Sequence, residues 1–401
     1  MSLALFLLLL CTFLIQISAL PSKPLSVCLD IPDPLTPHHR VQTPCVVERV
    51  PDPFTRRLRK MVKRANRGQF LLTFRCDNNA PPGLCNKAKR NLDRAGEILL
   101  DTLGITTNIK VDASLLPMPR LTLGSAQATR MHPLQDRDGK IRHYPQALVK
   151  EFGYENGFQL SNFDIKATFN SRADWLFEED EGSSPKQLSN FLATAMHEFL
   201  HGFGMISNWR PLDDNQPTQF LAPAMTGTFT SRSPNLKEVS FIESVFDRHV
   251  YVKAGNNEWI PASEYTDMMN NFLANKAFQF RNFDDAKNGL IRSEASRWAA
   301  SMLRAATTPQ GLAFMPTRTP NDRNKVFLES SLAPFRSRSS ISHLDIATYK
   351  NTADWLMPYL AVRPMCVQKM SDWVREFGSP FGPGTLRILT AMGYDTKWPW
   401  E

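Results

Sequence analysis

The sequence predicts an α+β protein with a twisted mixed sheet, a large insertion and a mainly helical C-terminal lobe. Three observations carry that expectation. Residues 65–204 alternate strand-like and helix-like patterns. Residues 205–338 mix turn-rich stretches with helical ones. Residues 339–401 close in a helical run that ends near Met392-Gly393-Tyr394. Setting aside residues 1–64 leaves 337 residues, enough for a two-lobed domain with a sizeable core. No internal repeat is visible.

Residues 1–19 are almost wholly apolar, from Leu3 to Leu10 and again at Phe13, Leu14 and Ile15, and they end at Ser18-Ala19 before Pro21. The apolar core is too short for a comfortable membrane span and reads as a secretory signal peptide. No other stretch approaches eighteen consecutive apolar residues, so a secreted chain without stable membrane insertion is expected.

Residues 20–64 are rich in proline and finish in the basic cluster Arg56-Arg57, Arg59-Lys60 and Lys63-Arg64. Few periodic apolar residues occur there, so the segment is not expected to build a core of its own. The dibasic pair before Ala65 resembles a processing site, which makes the segment propeptide-like; a surface helix with a basic face is the alternative. It holds nine Lys/Arg and four Asp/Glu, or +5 of the net +8, leaving +3 on the rest of the chain. No dense basic stripe remains, and a nucleic-acid partner is not expected.

Cysteine usage fits an oxidising compartment. Cys11 leaves with the signal peptide, Cys28 can pair with Cys45 and Cys76 with Cys85, and Cys366 is left over. No Asn-x-Ser/Thr sequon occurs.

In the N-terminal lobe, strands are expected over 69–75, 107–115, 120–124 and 163–170, with helices over 85–103 and 144–152. In the insertion, helices are expected over 239–250, 263–275 and 293–306. Trp209, Phe220, Phe229 and Trp259 either line a cleft or pack the insertion onto the body.

The run 186–203 holds the chemistry. Ser183, Ser184 and Pro185 supply a helix start, and Gly202 and Gly204 end it. Leu188, Leu192, Ala195 and Phe199 form one apolar face. Roughly opposite stand His197 and His201 of the motif His197-Glu198-Phe199-Leu200-His201. Residues four apart share a helical face, so both imidazoles can reach one Zn²⁺ ion, while Glu198 projects beside them toward a water.

A catalytic zinc usually takes three protein ligands. Position 207, where a longer version of the motif places the third, is Ser207, a poor ligand. Of the eight histidines, His38 and His39 lie in the proline-rich segment, and His132 and His143 flank a charged, turn-like segment and read as solvated. His249 and His343 remain. Glu243, on the expected helix 239–250, is a further candidate, since a downstream glutamate is another known solution.

The motif, together with Ser342-His343-Leu344-Asp345 and Trp355-Leu356-Met357-Pro358-Tyr359, resembles the metzincin metallopeptidases, and within them the leishmanolysin type. The resemblance covers about 185–209 and 339–395. It implies a zincin/metzincin-like catalytic domain with an active-site helix, His343 as third ligand and Met357 as the turn methionine beneath the metal. It also implies that Tyr359 approaches the metal and stabilises the oxyanion, an ordinary half-buried tyrosine being the alternative, and, with its position before the motif helix, that residues 164–170 form the sheet edge along which an extended polypeptide pairs, an ordinary central strand being equally open. In some such zymogens a propeptide cysteine blocks the metal. The chain departs from the family pattern in the 141 residues between His201 and His343.

The expected activity is therefore that of a secreted zinc endopeptidase with Glu198 as general base and a polypeptide as substrate. A binding protein on the same scaffold and a zinc hydrolase of non-peptide bonds remain open alternatives.

Overall fold

The computed structural model describes residues 25–36, 39–52, 55–56, 67–155, 157–180, 188–213, 217–230, 233–255, 258–276, 279–317, 324–360 and 379–396. The apolar N-terminus, Cys11, Ser183 to Pro185, Lys63-Arg64, His38 and Cys366 lie outside these residues.

The architecture is mixed α and β with several sheets. Two of them position the site. The first is four-stranded: β4 (Phe70–Cys76), β5 (Ile109–Leu116), β9 (Ile165–Asn170) and β6 (Gly124–Ala128), in the order β4-β5-β9-β6. β4, β5 and β9 run parallel, and β6 is antiparallel at the edge. β9 alternates in sequence but is largely buried on both faces, under the motif helix on one and beneath the segment at Pro32 on the other, and it lies between β5 and β6. The expected edge strand at 164–170 is thus interior, and β6 takes the edge.

The helix Leu84–Leu103 packs against this sheet beside the motif helix, Phe191–Gly202, which also lies directly on it. Its Ala88, Leu92, Ala95 and Leu99 are fully buried, as their 3.6-residue spacing requires. Gly104, in the left-handed region with φ 58°, ends it. Phe199 of the motif helix lies 5.3 Å from the Phe70 ring and 6.2 Å from that of Phe169, both on the sheet. Burying one such side chain contributes about 1.5–3 kcal/mol.

The second sheet contains β1 (Leu25–Asp30), β2 (Val41–Val46), β3 (Glu48–Arg49), β7 (Arg130–Gln135) and β8 (Ile141–Pro145). β1 and β2 form an antiparallel hairpin, and β1 and β3 both pair with β7. The proline-rich segment therefore joins a shared sheet rather than needing a core of its own. Leu29 and Ile31 are buried with Ala128, Met131 and Ala224. Cys28–Cys45 and Cys76–Cys85 are disulfides, so neither described cysteine of that segment has a thiol to offer a metal.

Other expectations are corrected. The stretch 239–250 is not a helix: its first part belongs to the strand Ser233–Ile242, paired antiparallel with Ala224–Thr230, and a single 3-10 turn follows at Asp247–His249. The stretch 144–152 splits into the end of β8 and the short helix Gln146–Glu151. Helices Ala262–Asn275 and Ser296–Ala306 match expectation; Phe283–Ile291 adds another. Trp209 is buried, Phe220 packs against the main core, and the Trp259 ring lies tilted 6.3 Å from that of Phe327, so these aromatics pack the body rather than line the cleft. The side chain of Phe229 lies outside the description. Among the described residues, no helix is long and apolar enough to cross a membrane.

Candidate metal centre and its cleft

The motif helix begins later than its sequence suggests. Asn190 caps it by accepting a hydrogen bond from the Ala193 N–H at 2.8 Å. Leu188 precedes the helix and lines the cleft instead. Gly204, at φ 102°, turns the chain sharply after it, and a Cβ there would strike Pro145 at 2.6 Å.

His197, His201 and His343 converge. Their Nε2 atoms form a triangle with edges of 3.1, 3.2 and 3.2 Å. Each ring has a backbone carbonyl at its other nitrogen: Leu356 O at 2.7 Å from His197 Nδ1, Met205 O at 2.8 Å from His201 Nδ1 and Ser339 O at 3.0 Å from His343 Nδ1. A carbonyl can only accept, so Nδ1 carries the proton in all three neutral rings. All three Nε2 atoms then present bare lone pairs to one another, and no hydrogen bond can join them. Such a cluster is repulsive unless a cation lies among the nitrogens. Burial keeps the rings neutral by depressing all three pKa values, that of His201 to about 3.

The triangle fits zinc. Tetrahedral donors about 2.0–2.1 Å from a shared ion stand about 3.3–3.4 Å apart, close to the observed edges. Among the described residues, one other group of potential ligands occurs: Cys28, Cys45 and His132. Its two sulfurs are spent in a disulfide.

His343 arrives on a strained loop. Arg338 and Ile341 adopt positive φ, 75° and 70°, which is unusual for any side chain and more so for a β-branched one. Buried Glu329 braces the loop: its N–H donates to His343 O at 2.8 Å and its carbonyl accepts from Ile341 N at 2.8 Å. Leu344 N donates to Met357 O at 2.9 Å. Met357 is fully buried, and its neighbour Leu356 supplies the carbonyl on His197. Asp354 just upstream accepts from the Gly384 and Thr385 N–H groups at 2.9 and 2.8 Å, at the N-terminus of the helix Pro383–Met392.

Ser207 takes no ligand position. Its hydroxyl donates to Asp247 at 2.6 Å and its N–H donates to Ser342 Oγ at 3.1 Å, which ties the chain leaving the motif helix to the third-ligand loop. Glu243 is not at the centre either. It lies buried against Arg142 at 3.3 Å, Ser263 at 2.8 Å and Thr266 at 2.7 Å. Its misplacement follows from the strand at 233–242, which carries it to the far side of β8.

Glu198 points into a cleft of about 340 Å³ bounded by the three histidines, β6, the 337–339 loop and residues 355–360. Burial pushes its carboxyl up to about 8, against the lowering effect of the Ala126 N–H and the Arg338 charge. Gly124 of β6 stands against it: a Cβ there would lie 2.9 Å from Glu198 Cγ. Tyr359 is half-buried on the cleft wall. Arg338 was not singled out from sequence; no local pattern marks it, since the folded loop alone brings it beside Glu198.

His132 and His143, expected to be solvated, are fully buried. His143 Nε2 lies 3.1 Å from Val27 O, and His132 Nδ1 lies 3.4 Å from Cys28 Sγ. β1 covers both, which the proline-rich composition of its segment conceals.

A family described as SPBPB7E8-like matches residues 54–400. A protein of Schizosaccharomyces pombe titled "Uncharacterized protein PB7E8.01" is 24% identical over 371 residues, covering 84% of this chain. The chain spans 64% of that relative's length. No solved structure matches the chain.

Proposed function

The chain belongs to the SPBPB7E8-like family, and for this member we propose zinc-dependent hydrolysis of peptide bonds outside the cell, on a zincin-like arrangement of sheet and helix. The observation that carries the reading is the set of three bare Nε2 atoms beside a buried carboxyl in an open cleft. A structural site would need no such carboxyl.

His197, His201 and His343 would hold the ion, with their tautomers fixed by the carbonyls of Leu356, Met205 and Ser339. The chemistry that zinc would supply when held there is acidification of water toward neutral pH and polarisation of a substrate carbonyl. Glu198 takes the proton from the attacking water and delivers it to the leaving amine. Burial favours its protonated form; the Ala126 N–H and the Arg338 charge oppose that, and a cation held by the histidines would further favour the ionised form that accepts the proton. β6 offers a sheet edge for an extended polypeptide. Tyr359, on the cleft wall, would donate to the oxygen that gains charge. The disulfides and the apolar leader support an extracellular setting.

The test is Glu198→Gln. Metal content by mass spectrometry should stay at one ion per chain while casein cleavage falls about 10²–10⁴-fold. A metal-replete variant that cleaves at the parental rate removes Glu198 from the mechanism.

A further inference from the structure

The β1–β2 hairpin carries its loop into the cleft. Its upstream end is fixed where Asp30 pairs with Arg130, Nη2 to Oδ2 at 2.8 Å, and where Ile31 N donates to Thr129 O at 2.9 Å. The next three carbonyls are then taken in turn. Lys166 Nζ donates to Pro32 O at 2.7 Å, Gln127 Nε2 to Asp33 O at 2.9 Å and Ser125 Oγ to Pro34 O at 2.8 Å. Arg338, beside Glu198, also donates to Pro34 O. At Pro34 the chain turns away, with Thr36 N donating to Asp33 O at 3.2 Å.

The polarity of this strap is informative. As it advances from Ile31 to Pro34, its partners step back from Thr129 to Gln127 to Ser125; the Gln127 and Ser125 side chains share with Lys166 the sheet face away from the motif helix, so the strap crosses that face along β6. It therefore runs antiparallel to β6 and stops beside Gly124 and Glu198. A polypeptide paired with the edge of β6 in the same sense would place the residues that precede its scissile bond beneath Pro34, where the Arg338 bond to Pro34 O spans the cleft. Among the described residues, no such strap crosses the other half of the cleft, bounded by Thr122, Leu188, Asn190, Thr194 and Leu360. The hairpin is cross-linked within itself by the Cys28–Cys45 disulfide and is held to the body by pairing with β7 and by the contact of Val27 O with His143.

We propose that the strap at residues 31–36 closes the half of the cleft that would receive the N-terminal side of a substrate, so that cleavage is confined to bonds near a polypeptide's N-terminus. The specificity is then that of an aminopeptidase-type enzyme. This rests on the peptidase reading and refines it: an endopeptidase needs both halves open.

The experiment uses the full secreted chain and fluorogenic peptides lengthened one residue at a time on either side of one scissile bond. N-terminal lengthening should lower kcat/KM by at least about tenfold, while C-terminal lengthening should leave it within about twofold or raise it. Indifference to N-terminal length, or a penalty on the C-terminal side instead, overturns the proposal. Binding of the same peptides to Glu198→Gln, read by fluorescence anisotropy, is independent of turnover. If nothing is cleaved but short N-terminal extensions bind best, the peptidase reading fails and the closed cleft stands. Length-independent binding, or no binding, overturns the closed cleft.

The double variant Ser125→Ala/Lys166→Ala loosens the strap and should bring long substrates to within about threefold of short ones. A penalty that persists in the folded variant removes the strap as its cause; if the variant does not fold, the parental length series still decides. Intact mass of the active species should include residues 25–50, and an active form lacking them also overturns the proposal.

Discussion

His132 and His143 make the protein acid-labile, and the size of the effect follows from their burial. Both rings are fully buried, and removal from water depresses their pKa values to about 4 and about 3. His143 also faces the charges of Arg40 and Arg210, which oppose a proton. In the unfolded chain each ring titrates near 6.5. As pH falls from 6.5 toward 4, the unfolded state takes up protons that the native state refuses. Stability is therefore intact above pH 6.5 and is lost progressively below it. At pH 5 the unfolded state gains about 2 kcal/mol per ring, or about 4 kcal/mol for the pair. That is a large share of a typical net stability of about 5–15 kcal/mol. The assay is urea unfolding across pH 7.5 to 4.5 for the parent and His143→Gln, both under the same metal condition. Glutamine keeps a donor for Val27 O and cannot be protonated. The parent should lose about 1.4 kcal/mol more per pH unit than the variant between about pH 6 and 4. Parallel curves would refute the reasoning, as would a native His143 resonance titrating near 6.5.

Three further outcomes are expected. His343→Ala should release the metal, whereas Glu243→Ala should keep it while losing about 3 kcal/mol or more in urea unfolding, because Arg142 is left partly uncompensated in the interior; mass spectrometry of the two variants separates them. Gly124→Ala should lower kcat at least about tenfold by displacing Glu198, with a smaller change in metal content; unchanged kcat would mean that the close approach is not functional. Tyr359→Phe should reduce kcat roughly hundredfold with KM little changed, and a KM effect alone would assign Tyr359 to substrate packing.

The motif helix was legible because its signal is local. His197 and His201 lie four apart, and Leu192, Ala195 and Phe199 keep the 3.6-residue period that their burial confirms. The gathering of His343 with them was implied by resemblance only, since nothing local in 339–345 encodes its distant partners. The sheet edge was misplaced for a physical reason. β9 reads as a strand because it holds Ile165, Thr168 and Phe169, whereas β6 is Gly-Ser-Ala-Gln-Ala and carries no β-branched or aromatic residue. Its extended form is imposed by pairing with β9. The stretch 239–250 failed because Val239, Phe241 and Val245 satisfy strand and helix spacing about equally over a short window. The hairpin at 25–46 escaped because its apolar residues bury against Ala128, Met131 and Ala224 from elsewhere in the chain.

The three carbonyls that orient the imidazoles come from the end of the motif helix, from the strained loop and from the segment before Met357. Separate regions must therefore all be assembled before the nitrogens can face one another. A chain with any one of them misfolded would offer isolated imidazoles of ordinary, weak affinity. Possession of an ion would thus certify a completed molecule, and on the proposed peptidase reading an immature or damaged chain would be disarmed without any inhibitor.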